Sequence, residues 1–423
     1  MSGSLYKAVW RWHFYAGLFV MPFLLLLSGT GAIYLFDTQI EALLYKDKLF
    51  VTPQQTTPIY PTKMLASLFP LESEKPITYF PPVAPDRSAA FTLLNDRNEI
   101  RNVYINPYTG EILGTVNDSS RPIRIIKELH TLEIAGTYAN HLVECVAGWA
   151  IILFVTGVFL WWPKSIRDSM RIRGGPAQRP FWRDVHRVVG IAAGGVIAFQ
   201  ALTGLTWASV WGDLLQRGID GSGQGIPRMM RDEWPQSDPS NAHIRTRGIE
   251  GAVRTAKERN MPPGFGIALP SRPSDVYTVM LLAPDDPALQ RVIHIDNHSG
   301  DVIADISFNE YGTASKLVEY GNAIHMGNYF GAPNRIILLA ACIAVWLLSI
   351  TGVIMWWKRR PSGQPLKTPP QPNRRETIIV FVVTTVASLL FPLTAISIVL
   401  LALIDGFAIL GWRTVATRNQ DVS

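Results

Sequence analysis

The sequence predicts a bundle of membrane-spanning α-helices with an internal duplication, together with two small α+β domains outside the membrane. The first observation is composition, because 48% of the 423 residues are hydrophobic and only 17% are charged, too few for a soluble protein of this size. The second is a set of apolar runs about as long as the roughly 20 residues that cross a bilayer. The third is a tryptophan-containing motif that recurs in the second half of the chain.

The apolar runs predict four membrane spans, at 9–36, 142–162, 188–211 and 336–357. A fifth apolar region at 377–412 is too long for one straight span and contains Pro392, which favours a helical hairpin. Basic residues cluster in the short segments that follow the second and fourth spans. By the positive-inside rule these segments and the N-terminus are cytoplasmic, so the basic residues indicate topology and a lipid bilayer rather than nucleic acid as partner.

The predicted organisation has nine parts. In chain order they are a first span (5–36), an outer domain (37–124), an interfacial helix with the second span (125–163), a cytoplasmic loop (164–182), the third span (183–211), a second outer domain (212–317), an interfacial helix with the fourth span (318–358), a cytoplasmic linker (359–376) and the hydrophobic hairpin (377–412).

Gapless offsets within the chain expose the duplication. Thr156-Gly157-Val158-x-x-Trp161-Trp162 recurs 195 residues later as Thr351-Gly352-Val353-x-x-Trp356-Trp357, and this offset also places His130 on His325. An offset of 173 places His13 on His186 and Thr30-Gly31 on Thr203-Gly204. The outer segments 103–112 and 293–302 match as well, each with alternating residues around a glycine turn, which predicts two β-hairpins.

His13 and His186 form the first matched pair, at the cytoplasmic ends of spans one and three. Gly17 and Gly190 follow four residues later on the same helical face, and a missing side chain there leaves space for a flat macrocycle. Two facing imidazoles with small residues and nearby basic residues are the arrangement that bis-histidine haem ligation needs. Cys145 and Cys342 lie in apolar runs, which excludes a covalent haem attachment motif.

His130 and His325 form the second pair, on short amphipathic helices near the outer membrane surface. The segments 136–140 and 331–334 predict helix breaks, each with a new N-cap. Gly31 and Gly204 leave room for a second porphyrin. A zinc site is disfavoured, because the pairs fall on opposite sides of the membrane without acidic or thiolate partners.

The remaining histidines are weaker candidates. His141 is the second-choice ligand and is better explained as a capping or pocket residue. His294 and His298 flank the second hairpin turn and are expected at its surface, with a metal site of His294, Asp296 and His298 as a minor alternative. His243 has no informative context.

Taken together, the motifs resemble the PepSY-associated transmembrane family. The first motif is a histidine that opens span one, with a glycine four residues later. Leu-His precedes span two, which ends in Thr-Gly-x-x-x-Trp-Trp-Pro. Ile-His-x-Gly precedes the final Thr-Gly-x-x-x-Trp-Trp-Lys-Arg-Arg. The resemblance implies an inner-membrane protein with paired periplasmic PepSY domains and two b-type haems. It also implies that His13, His186, His130 and His325 ligate the haem iron and that a ferric siderophore is reduced in the periplasm.

The leading hypothesis is therefore a ferric-siderophore reductase. The cytoplasmic loops, about 20 residues each, are too short for a flavin or nicotinamide domain. We therefore expect the electrons to come from a cytoplasmic flavin or NAD(P)H reductase or from a quinol. One alternative keeps the haems but changes the acceptor, which makes the protein a quinol-linked or copper-reducing cytochrome. A second alternative is a haem-free membrane scaffold whose PepSY domains bind peptides or regulate a protease.

Overall fold

The computed structural model describes residues 3–68, 74–162, 170–231, 233–238, 240, 248–359 and 373–400. The chain forms two compact units. The helical unit comprises Met1–Ala32, Glu128–Leu215 and Arg335–Ser423, and the sheet unit comprises Ile33–Lys127 and Gln216–Asn334. Each unit therefore draws on both halves of the sequence. His243 and the parts of the predicted loop, linker and hairpin at 163–169, 360–372 and 401–412 lie outside the described residues.

In chain order, the described α-helices are α1 (Gly3–Tyr34), α2 (Asp37–Leu44), α3 (Lys46–Leu49), α4 (Pro61–Ala66), α5 (Pro122–His130), α6 (Asn140–Trp161), α7 (Arg179–Gly204), α8 (Trp211–Gly221), α9 (Arg228–Arg231), α10 (Gly248–Glu258), α11 (Thr313–His325), α12 (Ala332–Trp357) and α13 (Arg374–Ala387). A further helical stretch covers residues 392–400.

Four of the described helices, α1, α6, α7 and α12, are long and apolar enough to cross a membrane, as the sequence predicts. A helix suits this environment because it satisfies its own backbone hydrogen bonds. Hydroxyl side chains inside the spans do the same, since Ser28 and Thr30 donate to the carbonyls of Leu24 and Leu26 at 2.6 and 2.7 Å. The protein is therefore a multi-pass membrane protein.

The fifth apolar region lies against α1 and α6 and reverses its direction after α13. Three hydrogen bonds define its course: Asn373 N to Ser4 Oγ at 3.4 Å, Thr394 Oγ1 to the Cys145 carbonyl at 3.2 Å, and Trp149 Nε1 to Ser397 Oγ at 2.9 Å. The start of α13 is thus beside the start of α1, and residues 394–397 run parallel to 145–149 of α6. The reversal occurs at the 3₁₀ turn Ser388–Leu390, just before Pro392.

The sheet unit contains eight antiparallel strands in one sheet, with the order β4-β3-β2-β1-β5-β6-β7-β8. The strands are β1 (Glu74–Phe80), β2 (Ala89–Asn95), β3 (Ile100–Ile105), β4 (Ile112–Asn117), β5 (Gly266–Ala268), β6 (Tyr277–Leu281), β7 (Arg291–Ile295) and β8 (Val302–Ser307). Alternate residues of β2 are buried, which is the period of a strand with one face on a core.

The two predicted hairpins are present as β3–β4 and β7–β8. Their turns contain Gly110 and Gly300, with φ of +79° and +76°, values that glycine adopts without the steric cost of a side chain. Each hairpin shifts register at the same place, after Tyr104 in β3 and after His294 in β7. The two outer segments were predicted as two domains, but β1 pairs with β5 through Thr78–Ala268 and Tyr79–Ile267, which joins their strands in one sheet.

The main core of the sheet unit lies between the sheet and the helices α4 and α10. Phe91, Ile267 and Ile293, from both halves of the sheet, are fully buried there together with Met64 of α4 and Ala252 of α10. Burying a side chain of this size contributes about 1.5–3 kcal/mol. Because one core spans the β1–β5 junction, the two halves of the sheet stabilise each other.

His294 was predicted at the surface of the second hairpin, and this prediction was wrong. Its side chain is fully buried, with Nδ1 2.9 Å from Thr278 Oγ1 and Nε2 2.7 Å from the Met229 carbonyl. A carbonyl only accepts, so Nε2 carries the proton and Nδ1 accepts from the threonine hydroxyl. The cause is that both faces of β7 are covered. Ile293 and Ile295 lie in the main core, and His294, on the opposite face, is covered by the segment that contains Met229. His298 lies in the turn, as predicted.

Burial lowers the pKa of His294 below 6.5, its value in an unfolded chain. Below about pH 6.5 the unfolded state therefore binds the proton more readily, so this group makes the sheet unit less stable as the pH falls. We expect hydrogen exchange of the β7 amides to accelerate between pH 7 and 5, after correction for intrinsic exchange. His294→Gln should flatten this dependence, and an unchanged pH slope in that variant would contradict the assignment.

Candidate functional site

His13 lies in α1 and is held by α6. Its Nδ1 is 2.9 Å from Thr156 Oγ1. A Cβ atom added to the next residue, Gly157, would lie 3.4 Å from Cε1 of the same imidazole. The Thr-Gly pair therefore gives the ring both a hydrogen-bond partner and the space to approach the helix backbone closely.

His186 of α7 is held by α12 in the same way. Its Nδ1 is 2.9 Å from Thr351 Oγ1 and 3.1 Å from the Leu348 carbonyl. A Cβ atom on Gly352 would lie 3.9 Å from Cε1 of His186. The Thr-Gly pairs of α6 and α12, which the sequence offset of 195 superposes, thus contact one histidine each.

His130 is the last residue of α5 and contacts the outer part of α1. Its Nδ1 is 2.9 Å from Thr30 Oγ1. A Cβ atom on Gly31 would lie only 3.3 Å from Cε1 of His130. Gly31 was predicted to make room for a porphyrin, whereas the structure places the histidine ring beside it. Burial lowers the pKa of His130, which favours its neutral form.

Counting protons fixes the tautomer of all three imidazoles. A threonine hydroxyl has one proton, and Thr156, Thr351 and Thr30 donate theirs to the carbonyl four residues earlier at 2.6–2.8 Å. Each hydroxyl oxygen must then accept from the histidine, so Nδ1 carries the ring proton. The lone pair is left on Nε2, and the described residues provide no hydrogen bond to Nε2 of His13, His186 or His130. These are neutral imidazoles in the form that binds metals.

The histidine contacts lie near the two ends of α1. From His13 to Thr30 the helix advances 17 residues (30 − 13), or about 26 Å at 1.5 Å per residue. This is close to the roughly 30 Å thickness of the hydrocarbon core. His13 and the Thr30-bound His130 are therefore separated along α1 by nearly the thickness of that layer.

The structure holds His13 of the first matched pair against α6 and His186 against α12. His325 ends α11 in the sheet unit, just as His130 ends α5. His141 lies in the first turn of α6, where its Nδ1 donates to the Tyr138 carbonyl at 3.1 Å and its ring stacks on the Tyr138 ring. This local contact is typical of a residue at the start of a helix.

A Cβ atom on Gly17 or Gly190 would be in ordinary van der Waals contact with one leucine side chain, at 3.9 Å from Leu153 or 3.6 Å from Leu348. The amides of Asn140 and Asn334 donate to the carbonyls of Thr131 and Ile324, at 3.2 and 2.9 Å. Each tie fixes a histidine-bearing helix end to the next span.

A buried carboxylate stabilises the end of the bundle that bears His186. Asp184 is completely buried, and its oxygens are 2.8, 3.0 and 3.5 Å from the guanidinium groups of Arg173, Arg183 and Arg187. Three arginines therefore surround this one carboxylate. In the sequence these arginines indicate topology alone, and their pairing with Asp184 is evident only from the structure.

The donor set decides which metal group fits. The described residues contain no group of three or more His, Cys, Asp or Glu side chains that could hold a metal ion, which disfavours the His294, Asp296 and His298 site and zinc. One or two neutral imidazoles fit a metal that brings its own equatorial ligands. An iron porphyrin is such a group, since it leaves only axial positions for the protein. His13 and His186 each have an Nε2 atom to which the described residues provide no hydrogen bond.

Thr30, Thr156 and Thr351 accept hydrogen bonds from the imidazoles, a role that sequence reasoning missed. A signal was present, because a Thr-Gly pair occurs in each of the four spans: Thr30-Gly31, Thr156-Gly157, Thr203-Gly204 and Thr351-Gly352. The glycines alone suggest space for a ligand, and the importance of the threonines emerges only with their hydrogen bonds.

Comparison with known families gives a match to the family model described as PepSY-associated TM region, over residues 10–359. The match covers most of the chain, including the sheet and nearly all of the four spans. A search of curated proteins found no match.

Proposed function

Because the chain belongs to the PepSY-associated transmembrane family, we propose that it binds two b-type haems and passes electrons across the membrane to a ferric siderophore. One observation supports this most strongly: imidazoles with a protonated Nδ1 and an available Nε2 contact Thr-Gly pairs near both ends of the spans. When bound, haem supplies one-electron transfer between ferrous and ferric iron.

The protein's own residues orient and protect the ligands. His13 and His186 would hold the inner haem, with Thr156 and Thr351 fixing the ring orientation. His130 would hold the outer haem with Thr30 as its partner, and the duplication in the sequence assigns His325 as the other outer ligand. The hydrogen bond to Nδ1 raises the basicity of Nε2 and prevents the ring from rotating.

The proposed direction of transfer follows from the basic segments, which place the N-terminus in the cytoplasm and the sheet unit in the periplasm of an inner membrane. One electron from a cytoplasmic flavin or NAD(P)H reductase, or from a quinol, reduces Fe(III) in the siderophore to Fe(II). The softer Fe(II) ion is held less firmly by hard oxygen ligands, which releases the iron. No nucleophile or general base is required.

An absorption spectrum of the purified protein, with haem quantitation, tests the cofactor. We expect a Soret band, the α and β bands of low-spin bis-imidazole haem on reduction, and two haems per chain. Proteoliposomes with a reductant inside and a ferric hydroxamate outside then test the acceptor, with a copper(II) chelate and a quinone as comparisons. A colourless protein after expression with ample haem supply would refute the cofactor. A coloured protein that reduces copper or quinone but not the ferric hydroxamate would refute the acceptor.

The threonines are expected to control haem affinity. In Thr156→Val the Nδ1–H of His13 loses its acceptor, and in Thr351→Val the Nδ1–H of His186 keeps only the Leu348 carbonyl. The loss of such partners typically lowers metal affinity about 10- to 100-fold, so we expect the larger effect in Thr156→Val. Thr156→Ser and Thr351→Ser keep the hydroxyl and should retain haem. Haem titration of the apoprotein measures the difference. Equal affinity in the valine and serine variants would show that the hydroxyl does not position the ring.

A further inference from the structure

The first tryptophan of each Trp-Trp pair has an unusual indole. The Nε1 atoms of Trp161 and Trp356 are buried, and each lacks a hydrogen-bond partner among the described residues. The second tryptophan of the first pair, Trp162, is instead 72% exposed, as expected for an anchor at the membrane surface. A buried N–H without an acceptor is costly, so two of them at positions matched by the duplication require an explanation.

Other indoles of the helical unit do find acceptors. Trp149 donates to Ser397 Oγ at 2.9 Å, Trp182 to the Pro176 carbonyl at 2.7 Å, and Trp211 to the Leu390 carbonyl at 2.8 Å. A missing hydrogen-bond acceptor is therefore not a general property of the tryptophan indoles in the helical unit. It belongs to the position that closes the repeated Thr-Gly-Val-x-x-Trp motif.

Both indoles lie one helical turn from the histidine contacts. Trp161 follows Gly157 by four residues, and Trp356 follows Gly352 by four, so each shares a helix face with the glycine beside its imidazole. Those glycines are the ones that adjoin His13 and His186. The ring of Trp356 also packs edge-on against Phe14, the residue after His13, with centroids 5.7 Å apart. The two unpartnered donors thus adjoin the inner histidine pair.

The nearby charge has the sign that attracts an anion. Arg187, next to His186 in the chain, also has a buried Nε without a partner among the described residues, although its Nη2 donates to the Arg171 carbonyl and lies 3.5 Å from Asp184. Arg183 is a second guanidinium nearby, 3.0 Å from the same carboxylate. Indole and guanidinium groups only donate, so their missing partner must be an acceptor. A carboxylate combines acceptor atoms with negative charge and strengthens such hydrogen bonds.

We propose that Trp161, Trp356 and Arg187 form a carboxylate-binding site for the propionate groups of the porphyrin that His13 and His186 ligate. This inference rests on the proposed function. The Thr-Gly-Val-x-x-Trp motif then has three roles in one turn and a half of helix: the threonine orients the imidazole, the glycine gives it space, and the tryptophan N–H binds the acidic edge of the macrocycle.

Porphyrin binding tests the proposal without measuring electron transfer. Apoprotein with the His130→Ala substitution, in which only the inner pair is intact, is titrated with iron protoporphyrin IX and with its dimethyl ester, and the Soret band is followed. We expect tighter binding of the acid than of the ester. Trp161→Phe/Trp356→Phe keeps aromatic rings but removes both N–H groups, and should weaken binding of the acid about tenfold or more while leaving the ester unchanged. Trp162→Phe is the matched control and should change neither.

A second measurement uses the full holoprotein. The spectrum of His13→Ala identifies the signal of the inner haem, because this variant should lose it. The midpoint potential of the same haem is then measured in Trp161→Phe/Trp356→Phe. Removing donors leaves the carboxylate charge less compensated, which should shift this potential downward, with no shift in Trp162→Phe. The inference is overturned if acid and ester bind equally to the parent protein, or if the double variant keeps both the preference and the potential. If the parent protein binds neither porphyrin, the proposed function fails and the inference falls with it.

Discussion

Replacing His13 or His186 with alanine is expected to lower the bound haem from two to one per chain and to reduce transmembrane electron transfer to the level of empty vesicles. The reason is that each substitution removes an axial Nε2 donor, and the described residues offer no third imidazole at that end of α1. The effect should be the same for both residues because the two imidazoles act on one iron. Haem quantitation and dithionite-reduced spectra measure the first part, and proteoliposome assays measure the second.

His298→Ala is the matched control for this pair, because His298 lies in the β7–β8 turn of the sheet unit and contacts none of the spans' Thr-Gly pairs. It should retain two haems and full electron transfer. If His13→Ala and His186→Ala kept two haems with bis-imidazole spectra, the inner ligand assignment would be wrong.

Replacing His130 with alanine should also leave one haem per chain, but with a different residual function. The inner pair remains intact, so a cytoplasmic-side reductant should still reduce the remaining haem, whereas the ferric chelate outside should not be reduced. His130 is expected to matter because its neutral, Thr30-bound ring has the same form as His13 and His186. The measurement is the spectrum of the variant in vesicles with reductant inside and acceptor outside.

His141→Ala provides the comparison for His130→Ala. The His141 Nδ1–H is used within the first turn of α6, and we expect its removal to leave both haems in place. Loss of one haem in His141→Ala, with two haems retained in His130→Ala, would exchange the roles of these residues and show that the duplication misassigned the outer ligand.

Much of the fold could be predicted because its dominant signal is local. A span needs only enough consecutive apolar residues, and a hairpin needs alternation around glycines such as Gly110 and Gly300. The pairing of β1 with β5 could not be predicted, because β5 is only three residues long and its partner lies far away in the chain. The burial of His294 was missed for a related reason, since the Met229 carbonyl that accepts its proton comes from a segment distant in sequence.

The candidate site was only partly predictable. Matched histidines stand out because ionisable groups near the membrane are rare and the duplication repeats them. Their hydrogen-bond partners could not be assigned from the sequence, since Thr156 is 143 residues from His13 and Thr30 is 100 residues from His130. Nor does the sequence distinguish Trp161 from Trp162, because burial of one indole and exposure of the other depend on the helices around them.

The joint between β1 and β5 has a consequence for how the protein is made. Tyr79 and its partner Ile267 are separated by 188 residues (267 − 79), and α6 and α7 lie between them in the chain. During synthesis, β1 therefore waits with open backbone hydrogen-bonding groups until two more spans have been inserted. Such an edge readily adds a strand from another nascent copy. Efficient biogenesis is thus expected to depend on synthesis reaching β5, beyond the third span, before neighbouring chains meet, or on a chaperone that shields the waiting strand.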